Sequence, residues 1–359
     1  MYKRLVILLT LILSIVPFAS VNAQSLNEGI DYCLFLEADD CQIMLQSEEV
    51  MSTVNSFAFD LSMAFDMLLE GEQMAGMGEM NFGIDGSGIL SLDTEALKQY
   101  QDMAMGDPAA AMDQMPAMLD SLFSAFEGEA SIQITLPQMV AMMTGGATEI
   151  PLNIVMKDGV YALDVASLEE ALGEDPSGMG WAGIDLNGAF ESMMDEVDLS
   201  SMGGGAMTSG LSGFSNETLQ EAITITRLED EDLEGTPVAV FEMVINYGAL
   251  LTSDELSGML ESMYGEMGMD EEGTDMILTM LQDIEIYFTQ YIGLEDSYNY
   301  GMEMSMDFAL DGEMMGDPTM DSAAFSFYLW LGLNDFNTPV AVELPENAMI
   351  MPAGMLMGQ

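Results

Sequence analysis

Histidine is absent from the 359 residues, and Lys and Arg together number five against 62 Asp and Glu, a formal net charge of −57. Without imidazole, the usual Ser or Cys triads and most zinc sites are excluded. So acidic a chain repels nucleic acid and anionic membrane surfaces, so neither is an expected partner, while cations are attracted. Cysteine is scarce, with Cys33 and Cys41 the only two. Beyond residue 23 no apolar run is long enough for a membrane helix. No glycine-rich phosphate loop occurs, because Gly203-Gly204-Gly205 follows no clear strand and precedes no Lys.

What is present begins with an export signature. Lys3 and Arg4 form a basic start, Leu5 to Val16 an apolar run, and Val21-Asn22-Ala23 a small-residue cleavage site. The run is too short to span a bilayer comfortably, and no Cys follows to accept a lipid. The expected product begins at Gln24 and is secreted or periplasmic. Losing residues 1–23 removes two of the five cations and none of the acids, leaving Lys98, Lys157 and Arg227. Most carboxylates then lack a basic partner and are solvated, partly protonated or neutralised by salt or bound metal. This points to a salty or acidic medium, with solubility favoured over specific metal binding. In an oxidising compartment Cys33 and Cys41 read as a disulfide closing a small N-terminal loop.

Because 49% of residues are hydrophobic, the chain can bury a sizeable core despite its charge. From Phe57 the apolar residues alternate as Phe57, Phe59, Leu61, Met63 and Phe65, the period of a strand with one wet and one dry face. The pattern returns in 132–136, in Met302 to Phe308 and in Phe325 to Leu331. Shorter strands are expected at Leu152 to Met156, Val160 to Leu163, Ile223 to Arg227, Val238 to Asn246, Ile284 to Ile292 and Val340 to Leu344. Lys157-Asp158-Gly159 and Glu234-Gly235-Thr236 supply hairpin turns. Apolar spacing of three and four predicts helices over Met112 to Phe126 and Asp254 to Met267, with a short one over Asp275 to Leu281. Ser167-Leu168-Glu169-Glu170 opens a further helical turn by capping logic.

The organisation that follows is a signal at 1–23, an N-terminal segment with the cysteine loop at 24–49, and a first half of the sheet at 50–199. A Gly/Ser-rich linker or loop at 200–215, a second half at 216–345 and a tail at 346–359 complete it. The expected fold class is α+β, mainly antiparallel β: a strongly curved sheet or half-open barrel with covering helices. A two-sheet sandwich would give the same alternation, but the helical inserts are too long for hairpin loops.

The run from Ile150 to Tyr161, Ile-Pro-Leu-Asn-Ile-Val-Met-Lys-Asp-Gly-Val-Tyr, followed by Gly180-Trp181-Ala182-Gly183-Ile184-Asp185-Leu186, resembles exported proteins of the LolA and LppX type. Leu233 to Phe241 and Leu333 to Val340 are similar to later strand pairs in such proteins. The likeness covers roughly residues 50–344 and consists of strand and turn patterns with no chemistry attached. It implies a half-open antiparallel barrel with helices across its mouth, holding the acyl chains of a lipid or lipoprotein. The acidity, the methionine content and the missing lipid-anchor Cys depart from that pattern.

No residues single out a catalytic site. With 62 acids, proximity of two carboxylates has no diagnostic value for glycosidase chemistry. Asp230-Glu231-Asp232-Leu233-Glu234-Gly235 mimics the start of a calcium loop, but Phe241 stands where a bidentate Glu is needed, so a hairpin turn is the better reading. Asn216-Glu217-Thr218 fits a glycosylation acceptor, a triplet that also arises by chance. The 39 methionines fit a flexible lining for apolar ligands, with thioether binding of copper(I) as the alternative. The expected function is therefore a non-enzymatic carrier for an apolar, lipid-like ligand, with no cofactor. Its cavity residues are Phe57, Phe59, Leu61, Met63, Met304, Met306, Phe308, Phe327 and Leu329. Calcium or copper(I) binding, or a structural surface role with another exported protein as partner, are the alternatives. Mass spectrometry of the exported protein is expected to show a chain starting at Gln24 with no alkylatable thiol before reduction and two after it.

Overall fold

The computed structural model describes residues 31–71, 79–94, 124–143, 146–173, 175, 177–186, 215–251, 284–311 and 321–352. One 13-stranded sheet organises them, and it is antiparallel except at one edge. A first meander comprises β1 (Ser56–Glu70), β2 (Glu79–Leu92), β3 (Phe126–Thr135), β4 (Glu149–Lys157), β5 (Val160–Asp164) and β6 (Trp181–Asp185). A second comprises β7 (Ile223–Arg227), β8 (Glu231–Leu233), β9 (Thr236–Asn246), β10 (Glu285–Gly293), β11 (Asn299–Asp311) and β12 (Ser322–Asn334). The first and last of these long strands, β1 and β12, pair from Ala58 opposite Asn334 to Glu70 opposite Ser322. That ladder fuses the two meanders. The final strand, β13 (Met349–Pro352), lies parallel to β6 at one end of the sheet, and β7 stands at the other end, so the sheet is open.

Turn chemistry fixes the hairpins where the sequence placed them. Asp158 and Gly159 have φ of 52° and 76°, and Glu234 and Gly235 have φ of 53° and 94°. Two successive left-handed residues match the right-handed twist of the flanking strands. Asp232 Oδ1 accepts the Gly235 backbone N–H at 2.7 Å, which makes the calcium-like segment a hairpin turn.

The described helices are short apart from the first. These are α1 (Ala38–Met51), α2 (Gln138–Met143), α3 (Val165–Ala171), α4 (Asn216–Ala222) and α5 (Tyr247–Leu251). Asp39 and Asp40 lie in the first turn of α1, where negative charge is favoured by the helix dipole. The Cys33–Cys41 disulfide ties a 3₁₀ turn at Tyr32–Leu34 to this helix. The cap of α3 is Asp164, whose carboxylate accepts the Ser167 N–H at 3.2 Å and the Ser167 hydroxyl at 2.6 Å, so the helix starts before Ser167. Ser215, assigned to the linker, caps α4, accepting the Thr218 N–H at 3.2 Å. Phe126, expected to end a helix, opens β3. Residues 112–123 of that helix, the helices at 254–267 and 275–281, and residues 200–214 lie outside the described residues.

Val340 to Leu344, expected as a strand, forms none. Pro339 and Pro345 flank it, and proline removes a ladder donor. The segment is instead a strap beneath the first meander. Asn337 N donates to Ser56 O at 2.8 Å and its side chain accepts from Asn55 N at 2.8 Å. Further along, Lys157 Nζ donates to Val342 O at 2.7 Å, and Val342 is buried. The strap carries the chain to β13.

The long strands β1, β11 and β12 alternate between two faces, whereas β9 buries Val238, Ala239, Val240 and Phe241 in succession. The apolar faces build two core clusters. One spans β1 to β6 and includes Phe57, Ile84, Leu152, Leu163 and Ile184. The other places Cys41 and Met44 of α1, Leu219 of α4 and Leu250 of α5 over Phe241, Ile245 and Phe288. Strands β2 and β3 approach closely where glycine permits it. A Cβ on Gly128 would collide with the Ile89 carbonyl oxygen, a backbone atom that cannot swing aside. Gly128→Ala is therefore expected to destabilise the protein by about 1–3 kcal/mol, read from the urea midpoint at unchanged slope.

Candidate functional site

The nine residues expected to line a cavity all stand on the apolar face of the sheet, and six of them fall into three adjacent rows. Met63 faces Leu329, which faces Met304. In the next row Phe65 faces Phe327, which faces Met306, and beyond it Met67 faces Phe325, which faces Phe308. The rows continue to Phe288 and Ile286 on β10. Since side chains alternate along a strand, this sharing of one face follows from the register alone.

The rows differ from the two cores in packing. Phe57 is 6% exposed and belongs to the first cluster, so its side chain is taken up by the protein's own core. Phe59 and Leu61 pack against that cluster, and a Cβ on Gly88 would meet the Phe59 ring at 2.9 Å, so the ring covers that glycine. Met63 touches the first cluster and Met304 the second. Between them Phe65, Met67, Met306, Phe308, Phe325, Phe327 and Leu329 are half-buried and, among the described residues, sit in neither cluster. Phe308 and Phe325 stack with ring centres 4.7 Å apart and planes 14° from parallel. Phe65 lies 6.2 Å from Phe325 at 37°.

Phe65, Met67 and Phe325 were not among the expected site residues. The alternation that marked their neighbours also contained Phe65 and Phe325; placing them in the strip required the register between two strands far apart in sequence. None of these positions carries a titratable group. The strip can offer dispersion and apolar burial, and nothing for proton transfer. Among the described residues no group of three or more Asp, Glu or Cys is placed to hold a metal ion, and no helix is long and apolar enough to cross a membrane.

In the strands that carry the strip, the described charges lie on the opposite face. Asp60, Asp66, Asp85, Glu129, Glu303 and Asp307 occupy the alternate positions of the same strands. There Tyr291 senses them. Burial and then the Glu303 carboxylate push the Tyr291 phenol up to about 12, and its hydroxyl donates to Glu303 at 3.5 Å. Burial, with a 2.6 Å hydrogen bond to Asp296, likewise raises Tyr300 to about 12.

No protein-family model and no curated protein matches the chain. Among solved structures it is similar to LprF from Mycobacterium bovis, at 7% identity over 87% of this chain and 99% of that one, with a TM-score of 0.32. It is also similar to the Mycobacterium tuberculosis lipoprotein LppX, at 9% identity, 84% and 97% coverage and a TM-score of 0.29. A third is a putative outer membrane lipoprotein-sorting protein domain from Vibrio parahaemolyticus, at 8% identity, 84% and 93% coverage and 0.19. The type of protein that the sequence resembles thus recurs among them. Superpositions this loose carry no ligand or residue role across.

The two tyrosines make an alkaline prediction. Their folded values of about 12 exceed the ordinary value of 10, so the unfolded chain loses these protons first as pH rises. Their contribution is whole below pH 10 and lost between 10 and 12. In urea melts across that window, the Y291F/Y300F variant is expected to show a shallower fall in stability than the wild type; an equal fall would assign the effect to other groups.

Proposed function

We propose that the protein is a non-enzymatic carrier, acting outside the cytoplasm, for an apolar lipid-like molecule held against the strip between the two cores. The observation that supports this reading is the strip itself: half-buried Phe, Met and Leu side chains in register on β1, β12 and β11, without a polar atom among their side chains. Thioether and aromatic side chains adapt to chains of varied shape, because Met has three rotatable bonds and a polarizable sulfur. Each methylene removed from water there contributes about 0.8 kcal/mol. Selectivity would come from length and shape, since the strip presents no hydrogen-bonding group. The export signature of residues 1–23 and the Cys33–Cys41 disulfide fit an oxidising compartment.

Native mass spectrometry of the exported protein, followed by organic extraction, is expected to reveal a stoichiometric lipid adduct. Met306→Glu places a charge on the strip and should lower retained lipid about tenfold or more. Ser305→Glu, one residue away but on the polar face, should leave it unchanged. A clean apo mass in the wild type, with no uptake of added fatty acids or phospholipids, would remove the carrier reading.

A further inference from the structure

Both tryptophans of the chain, Trp181 and Trp330, lie on the polar face of the sheet, away from the apolar strip. Each borders a groove. One, of about 450 Å³, runs from Asn334 and Asp60 across Ser87, Ser131 and Asn153 to Trp181. The other, of about 370 Å³, runs from Trp330 across Ser62, Asp85, Ser87 and Gln133. They share Asp60, Ser87 and Ser131, so they form one continuous trough. Five strands, β1 to β5, separate the two indoles, a span of about 29 Å at about 4.8 Å per strand spacing.

The Trp330 indole is held against the sheet by glycine. A Cβ on Gly301 would meet its six-membered ring at 2.6 Å, and one on Gly332 would meet Nε1 at 3.3 Å. Tyr291 packs edge-on against it at 5.4 Å and 72°. Larger residues at either glycine would displace the ring. The trough floor carries short hydroxyl, amide and carboxylate side chains, with Ser62 donating to Asp85 at 2.7 Å and Ser131 to Asn153 at 2.9 Å.

This chemistry is selective. Carboxylates only accept hydrogen bonds, so a ligand must bring donors, while Ser, Asn and Gln both give and accept. Polyanions, nucleic acid included, are repelled by the chain's charge. A peptide cannot join as an added strand, because the floor is the middle of the sheet, where backbone groups are already paired. An extended molecule rich in hydroxyls, with flat apolar ring faces to set on indole, satisfies each condition. We propose that this trough binds a linear polysaccharide, neutral or amino-bearing, anchored by Trp330 and Trp181 and hydrogen-bonded by Asp60, Ser62, Asp85, Ser131 and Asn153.

The test titrates cellohexaose, a glucosamine hexamer and polygalacturonate into the full mature protein, following tryptophan fluorescence and amide NMR shifts. Cellohexaose, alone or with the glucosamine hexamer, is expected to bind with shifts on the polar face, while polygalacturonate is not. Trp330→Ala and Trp181→Ala should each weaken binding about tenfold while leaving lipid uptake unchanged. No binding of either hexamer would overturn the proposal, as would binding of the glucosamine hexamer alone that vanishes in high salt and ignores both tryptophans. Because the apolar strip lies on the other face, loss of lipid uptake and loss of sugar binding are separate outcomes.

Discussion

The antiparallel ladder between β1 and β12 is the constraint on which the rest depends. Each meander alone would be a sheet with an open long edge and half an apolar face. Joined in the register that sets Phe65 opposite Phe327 and Met67 opposite Phe325, they become one surface. The side-chain period of two makes this register unforgiving. A slip of one residue would turn Met63, Phe65 and Met67 to the acidic face and bring Ser62, Ala64 and Asp66 to the apolar one. The strip exists only because strands from the two ends of the chain meet correctly.

The same alternation explains how so acidic a chain folds. Carboxylates are kept on one face of the long strands, where water screens them, and the described cations are spent at joints. Arg227 reaches the carbonyl oxygens of Leu228 and Val240 at 2.6 and 3.1 Å, approaches Asp40 of α1 at 3.6 Å, and lies 5.0 Å from the Phe241 ring centre. One guanidinium thereby fastens a helix, two strands and a turn. Lys157 does the same for the strap through Val342. Arg227 also pairs with the exposed carboxylate of Asp230 in the turn that follows.

The strands with unbroken alternation, β1, β11 and β12, were legible in the sequence, as were the two hairpin turns whose Gly follows Asp or Glu. Strand β2 was not, because Gly86 and Gly88 interrupt its apolar positions exactly where Ile132 and the Phe59 ring press against the sheet. Helix α1 escaped notice because the residues it buries are Cys41, Met44 and Ser47, set among Asp and Glu, a face too weakly apolar to announce itself. Helix α4 was hidden by the Gly/Ser run before its cap. The nine expected site residues share a face because local alternation dictates it. That Phe65 and Phe325 join the strip is set by pairings more than 250 residues apart, which no local pattern encodes; Phe57 sinks into the core opposite Leu90 of β2.

The ladder between β1 and β12 also has a consequence in time. A chain emerging from its N-terminus exposes the edge of β1 until Ser322–Asn334 arrives, and closing so long a loop is entropically slow. During that interval β1 is an unprotected template for mispairing with other chains. Dense like charge on its solvent face, Asp60, Asp66 and Glu70, repels a second copy of the same strand while leaving the nearly uncharged β12 welcome.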